Sequence, residues 1–233
     1  MPRTTLHMFA VSAFAVLNDF DLKHLLRPAA RNINRRSTIE DVHAQIDSRY
    51  FRQITPGLET LRSSFSVPRH RHLHGYAIVV LAGAFEESGY NGRLRATAGD
   101  VLIHPTLDCH ANQTVRDGTT LIRLYWPDAY GPGGLHRSDE VDAIACAAEK
   151  DVGDATLLLR EALKNAVSSP GKRNDWPDLL AAALTENPSI VIGAWAESNG
   201  LAPETVSRGF AAAYGITPAA FRAELRARAA WLR

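Results

Sequence analysis

Residues 70–83 read His-Arg-His-Leu-His-Gly-Tyr-Ala-Ile-Val-Val-Leu-Ala-Gly. The second half, Tyr76 to Leu81, is a short apolar run rich in β-branched side chains and closed by Gly83, which predicts a buried strand. Two further runs resemble it: Val101 to Ile103 after Gly99-Asp100, and Thr119 to Tyr125 after Asp117-Gly118. Gly89, Asn91-Gly92 and Pro105 lie between them. Short strands cut by turn residues at this spacing predict an all-β sandwich or barrel in the middle of the chain.

The first half of the stretch carries chemistry. Alternate residues of a strand share a face, so His70, His72, His74 and Tyr76 are expected to point the same way. His104 and His110 lie further along, and five of the nine histidines fall between 70 and 110. Neutral imidazoles suit zinc, nickel, copper or ferrous iron. His70, His72 and His110 are therefore the candidate metal ligands, and His72, Tyr76, His104 and His110 the candidates for contact with a small ligand. Glu86 and Arg95 are further polar candidates, and a buried Tyr76 hydroxyl would need a partner. Cys109 reads as a small buried hydrophobe.

These residues are similar to the two cupin motifs. His70, His72, Tyr76 and Gly83 follow the spacing of the first, with Tyr76 where its carboxylate or amide stands. Gly99 and Pro105 follow the second, with Asp108 at its histidine position and His110 two residues later. The resemblance implies a cupin-like barrel over residues 56–135. Three readings of its histidines stay open: an effector pocket without metal, a metal-dependent site, and packed histidines.

From Ser138 the period changes. Val141, Ile144, Ala145 and Ala148, then Leu158, Ala162 and Leu163, recur at helical spacing. Residues 136–172 are read as a helical linker, suited to dimerisation, ending in the Ser-Ser-Pro-Gly-Lys-Arg run 168–173. Residues 173–233 predict four helices. Trp176 to Asn187 is opened by Asp175 and Pro177. The second is capped by Ser189 and stopped by Gly200, the third opens at Pro203, and the fourth at Thr217-Pro218. Ile192, Trp195, Ala196, Leu201, Val206, Phe210, Ile216, Phe221 and Leu225 should form one small core.

Ala196, Gly200-Leu201, Ser207-Arg208-x-Phe210, Gly215-Ile216-Thr217-Pro218, Phe221, Arg226 and Ala229-Ala230 together resemble the first helix-turn-helix of AraC-type regulators. The resemblance implies that Glu204, Thr205, Ser207 and Arg208 face DNA, and that the barrel binds an effector without needing a cofactor. The family carries two such units, and this chain shows one. Seven Lys/Arg against six Asp/Glu from Lys172 onward give weak phosphate attraction, so a homodimer is expected to supply affinity.

Bulk properties decide less. The net charge is +1 over 233 residues, which neither favours nor excludes nucleic acid. Two cysteines suit a reducing cytoplasm, and no run of about 18 apolar residues exists to span a membrane. Leu6 to Leu17 faintly resembles a signal core without its cleavage site. Arg27 to Arg36 is basic and reads as solvated surface, and Ser37 to Ile46 as a short helix. The expected fold is α+β, a cupin-like β-barrel followed by an all-α helix-turn-helix domain, with residues 1–55 as a leading segment. The expected function is an effector-responsive DNA-binding regulator and not an enzyme. The alternatives are a metal-dependent cupin enzyme of dioxygenase or isomerase type, carrying zinc, nickel or iron, and a non-DNA-binding partner of full-length regulators.

Overall fold

The computed structural model describes residues 54–232, apart from 63–64, 116–117, 132, 165 and 169–173. The expectations for Leu6 to Leu17, Arg27 to Arg36 and Ser37 to Ile46, and most of the 168–173 run, lie outside the described residues.

The strands are β1 (Gly57–Leu61), β2 (Ser66–Arg71), β3 (Tyr76–Ala82), β4 (Ala84–Gly89), β5 (Gly92–Thr97), β6 (Asp100–His104), β7 (Cys109–Thr114), β8 (Thr119–Tyr125), β9 (Gly134–Arg137) and β10 (Val167–Ser168). Among the described residues they form one sheet in the order β1-β8-β3-β6-β9-β10 and another in the order β2-β7-β4-β5. The chain alternates between the sheets from β1 to β4 and again from β5 to β8, while β4-β5 and β8-β9-β10 each stay within one sheet, a double-sheet arrangement of the jelly-roll kind. The class is α+β as expected, but the two sheets face each other without closing into one continuous barrel.

β3 shows why its sequence is apolar throughout. Tyr76, Ile78 and Val80 point between the sheets, with Leu121, Phe85 and Leu94. Ala77 and Val79 point outward against α1 (Val141–Ala148) and α2 (Val152–Leu163), where Ile144, Ala155 and Leu159 are buried. A strand covered on both faces loses the polar-apolar alternation. Each fully buried aliphatic side chain there contributes roughly 1.5–3 kcal/mol. The stretch read as a linker thus contains two helices that seal the outer face of the larger sheet.

The remaining helices are α3 (Trp176–Glu186), α4 (Ile192–Ser198), α5 (Pro203–Tyr214) and α6 (Pro218–Trp231). Asp175 and Asp178 form a capping box on α3, and Thr217 Oγ1 accepts from Ala220 N at the start of α6. The predicted cap of α4 is corrected: the residue before the helix is Val191, and the Ser189 amide donates to Asn187 Oδ1 instead. Gly200 has φ +66°, so the turn between α4 and α5 uses a left-handed residue that a side chain would strain. The predicted core forms, with Leu180, Leu184 and Tyr214 added.

That core also takes in Tyr90 and Cys109 from the smaller sheet. Arg69 donates to Glu224 of α6 through Nε (2.9 Å) and Nη2 (2.8 Å). Arg93 grips Asp178 through Nε and Nη2, both at 3.0 Å, and also pairs with Asp175. The helical unit is therefore packed on the outer face of β2-β7-β4-β5.

β2 serves both sides. Its pairing with β7 slips between Val67 and His70, a β-bulge that re-aims the side chains beyond it. Val67, His70 and His72 consequently line the space between the sheets, while Arg69 and Arg71 turn to Glu224 and Tyr90.

Candidate metal centre

A cavity of about 200 Å³ opens between the sheets. Leu61, Phe65, Val67, Ile78, Phe85 and Leu121 give it apolar walls, and His70, His72, Tyr76 and His110 line its chemical side. Arg123, paired with Glu59, adds a charged edge.

His70 and His72 come from the end of β2 and the residue just past it, His110 from β7 directly opposite, where His70 and His110 are register partners. One ring nitrogen from each of the three lies within 4.8 Å of the others. His70 Nδ1 sits 2.9 Å from the Pro68 carbonyl. A carbonyl only accepts, so Nδ1 carries the proton and the Nε2 lone pair faces inward. That nitrogen lies 2.9 Å from His72 Nε2. Two imidazoles on one ion, at bond lengths of about 2.0–2.1 Å, would stand about 2.9 Å apart at a right angle and about 3.4 Å apart at a tetrahedral angle. His70 and His72 thus already stand at the spacing of two ligands on one divalent ion, and His110 offers a third nitrogen within 4.8 Å of theirs. His110, rather than Asp108 at the motif position, completes the set.

Tyr76 stands where the motif has its carboxylate. Its hydroxyl is 3.1 Å from His110 Nε2. Burial, then Glu87 and Asp108, push its ionisation well above the ordinary tyrosine range, so it remains a hydrogen-bond donor.

Not every predicted residue joins the cavity. His74 is exposed, because β2 stops at Arg71 and the chain turns through Leu73, His74 and Gly75 before β3 begins. A side chain at Gly75 would meet the Trp126 carbonyl at 2.3 Å, so this turn needs glycine. The expected single face of His70, His72, His74 and Tyr76 is corrected accordingly. His104 does not line the cavity. It lies behind it, stacked on Tyr76 at 4.3 Å between ring centroids. Arg95 is exposed, and Glu86 accepts from Gln113 on the outer face.

Two buried carboxylates were missed. Asp108 accepts from His104 Nδ1 at 2.8 Å and lies 3.4 Å from His110 Nδ1. Glu87 lies 3.5 Å from His104 Nε2 and accepts from Asn112 at 2.8 Å. Burial raises Glu87 to about 7, against the pull of His104. Asp108 is opposed by burial, yet His104 and His110 hold it well below the carboxylate range. His104 is likewise opposed by burial but raised by Glu87 and Asp108, whereas burial and His104 push His110 well below the histidine range. Alternation gave the signal for Glu87: two residues on from buried Phe85, it belongs on the inner face.

In the helical unit, Glu204, Thr205, Ser207 and Arg208 are all exposed on α5, while Val206 and Phe210 face the core. Among the described residues, no helix is long and apolar enough to cross a membrane.

No family model and no curated protein matches the chain. Solved structures do. It is similar to an RmlC-like cupin from Shewanella frigidimarina, at 22% identity over 30% of this chain and 66% of that one, with a TM-score of 0.26. The fold is cupin-like. The chain is also similar to a salicylate 1,2-dioxygenase from Pseudaminobacter salicylatoxidans (22% identity, 29% of this chain and 20% of that one, TM-score 0.27). A third is DMSP lyase DddQ from Ruegeria pomeroyi (21% identity, 34% and 43%, TM-score 0.27). The chain spans less than two thirds of each of these proteins. The likeness is one of fold alone. The expectation that this chain is not an enzyme is corrected by the pocket itself, which holds a histidine set that could bind a metal.

Proposed function

We propose that the chain is a metal-dependent enzyme of the cupin type, acting on a small molecule in the cavity between the sheets. The observation that carries this is the convergence of His70, His72 and His110 on one point of its wall. Three protein ligands leave positions for substrate, and an ion so held supplies a Lewis acid. The chain's own groups do the rest. Tyr76 can donate to a substrate oxygen, and the apolar walls exclude water, which strengthens each polar contact inside. A cavity of about 200 Å³ sets the substrate's size, and dioxygenase or isomerase chemistry fits such a site. Metal analysis of the purified protein tests this. About one equivalent of zinc, nickel or iron is expected to be lost in His72→Ala, while a pocket that takes up none of these metals would end the proposal.

A second reading concerns the helices, and α5 favours it: Glu204, Thr205, Ser207 and Arg208 stand together in solvent after the short turn at Gly200. We propose that this face contacts DNA, with Arg208 reaching a phosphate or a guanine edge and with a homodimer supplying a second half-site. The same cavity would then hold an effector. Fluorescence anisotropy against DNA upstream of the chain's own gene should show selective, salt-sensitive binding that Arg208→Ala weakens at least about tenfold, a loss of about 1.4 kcal/mol. Equal affinity in the variant removes Arg208 from the interface.

A further inference from the structure

We infer a second cation site behind the first. Glu87, His104, Asp108 and His110 each present a ligand atom, all within 4.8 Å of one another, and none of the four residues is more than 5% exposed. The two imidazoles lie side by side, with ring centroids 4.4 Å apart. Each turns Nε2 toward Glu87, at 3.5 Å from His104 and 3.9 Å from His110. Each turns Nδ1 toward Asp108, at 2.8 Å and 3.4 Å. Two carboxylates thus bracket two rings at both ends.

Hydrogen bonding within the cluster is incomplete. His104 Nε2, His110 Nδ1 and Asp108 Oδ1 are buried with no hydrogen-bond partner. Buried polar atoms are ordinarily paired, and leaving them unpaired is costly. One such atom stands at the Glu87 end and two at the Asp108 end, so the cluster as a whole has several bonds to give to a ligand. The donors identify it. Glu87 and Asp108 set carboxylate oxygens against the same two imidazoles, and a divalent cation can bond to oxygen and nitrogen donors together. The pocket histidines bring no carboxylate of their own, so the inner group is the better matched to a divalent ion. Two imidazoles and two carboxylates form a mixed nitrogen and oxygen set of the kind zinc accepts.

His110 belongs to both groups. Its Nε2 faces Tyr76 and the pocket, and its Nδ1 faces Asp108, so with both positions filled His110 would bridge them as an imidazolate, its proton released to solvent. Neither Glu87 nor His104 lines the cavity. An ion behind it is therefore shielded from solvent and exchanges slowly, unlike one bound at the pocket wall. This site stands on its own residues and does not depend on the pocket histidines holding a metal.

The test is the zinc content of the full chain after loading and desalting, before and after brief treatment with EDTA. The wild type is expected to hold two equivalents, one stripped rapidly and one retained. His70→Ala/His72→Ala, which leaves the inner group intact, should keep only the retained equivalent. Glu87→Gln/His104→Gln should lose that equivalent, with circular dichroism as the check on folding. The decisive arm is the His70→Ala/His72→Ala protein, so a misfolded inner variant does not blunt the test. Folded His70→Ala/His72→Ala protein without zinc overturns the inner site. A wild type holding only the retained equivalent overturns the pocket metal and leaves the inner site standing.

Discussion

Arg69 shows how much one side chain can be asked to hold. Its side chain is 7% exposed and, among the described residues, has a single carboxylate partner, Glu224, which is 24% exposed. The ring faces of Tyr90 and Phe221 flank it at 5.6 Å and 5.4 Å. Removing one member of a buried pair costs about 3–5 kcal/mol, because the other charge is left in the interior. Glu224 is partly wet, so Glu224→Ala should cost about 2 kcal/mol in urea unfolding, with a loss under about 0.5 kcal/mol showing that water replaces the carboxylate. Cys109 sits in the same junction. Burial, then Glu224, raise its thiol to about 12, so it remains protonated and behaves as the small hydrophobe its neighbours suggest.

The elements differ in how plainly the sequence announced them. β3, β6 and β8 could be read directly, because each is an apolar run bounded by turn residues and buried on both faces. The helices of the C-terminal unit were legible from glycine and proline as well as from period, and only the cap of α4 was misplaced. β2 was opaque. Ser66–Arg71 carries a proline and alternating cations, and what makes it a strand is tertiary: pairing with β7, a carboxylate from α6 and a bulge. The candidate site was half legible for the same reason. Spacing led to His70, His72 and His110, but their convergence depends on that bulge. Glu87 was half hidden: alternation from Phe85 turns it inward, but β4 (AFEESG) looks polar on both faces, so that signal is weak. Composition cannot distinguish a carboxylate turned to water from one turned to a buried histidine.

At the scale of the molecule, the two parts share a core. Tyr90 packs edge-on against Phe221 at 5.6 Å, and Arg228 of α6 donates to the Thr106 carbonyl at 3.2 Å. Parts joined in this way should unfold together. Tryptophan fluorescence, which reports on Trp176, Trp195 and Trp231 in the helical unit and Trp126 beside the sheets, should give the same urea midpoint as far-UV circular dichroism. Two separated transitions would show that the junction is weaker than its buried contacts imply. The bulge in β2 bears on how this chain can vary over generations. Substitutions there change one contact at a time, and losing Arg69 would leave Val67 and His70 two positions apart, restoring plain alternation with both still facing the cavity. The imidazoles would keep their place while the guanidinium that grips Glu224 disappears, so one codon's deletion would loosen the junction with the helices and spare the pocket.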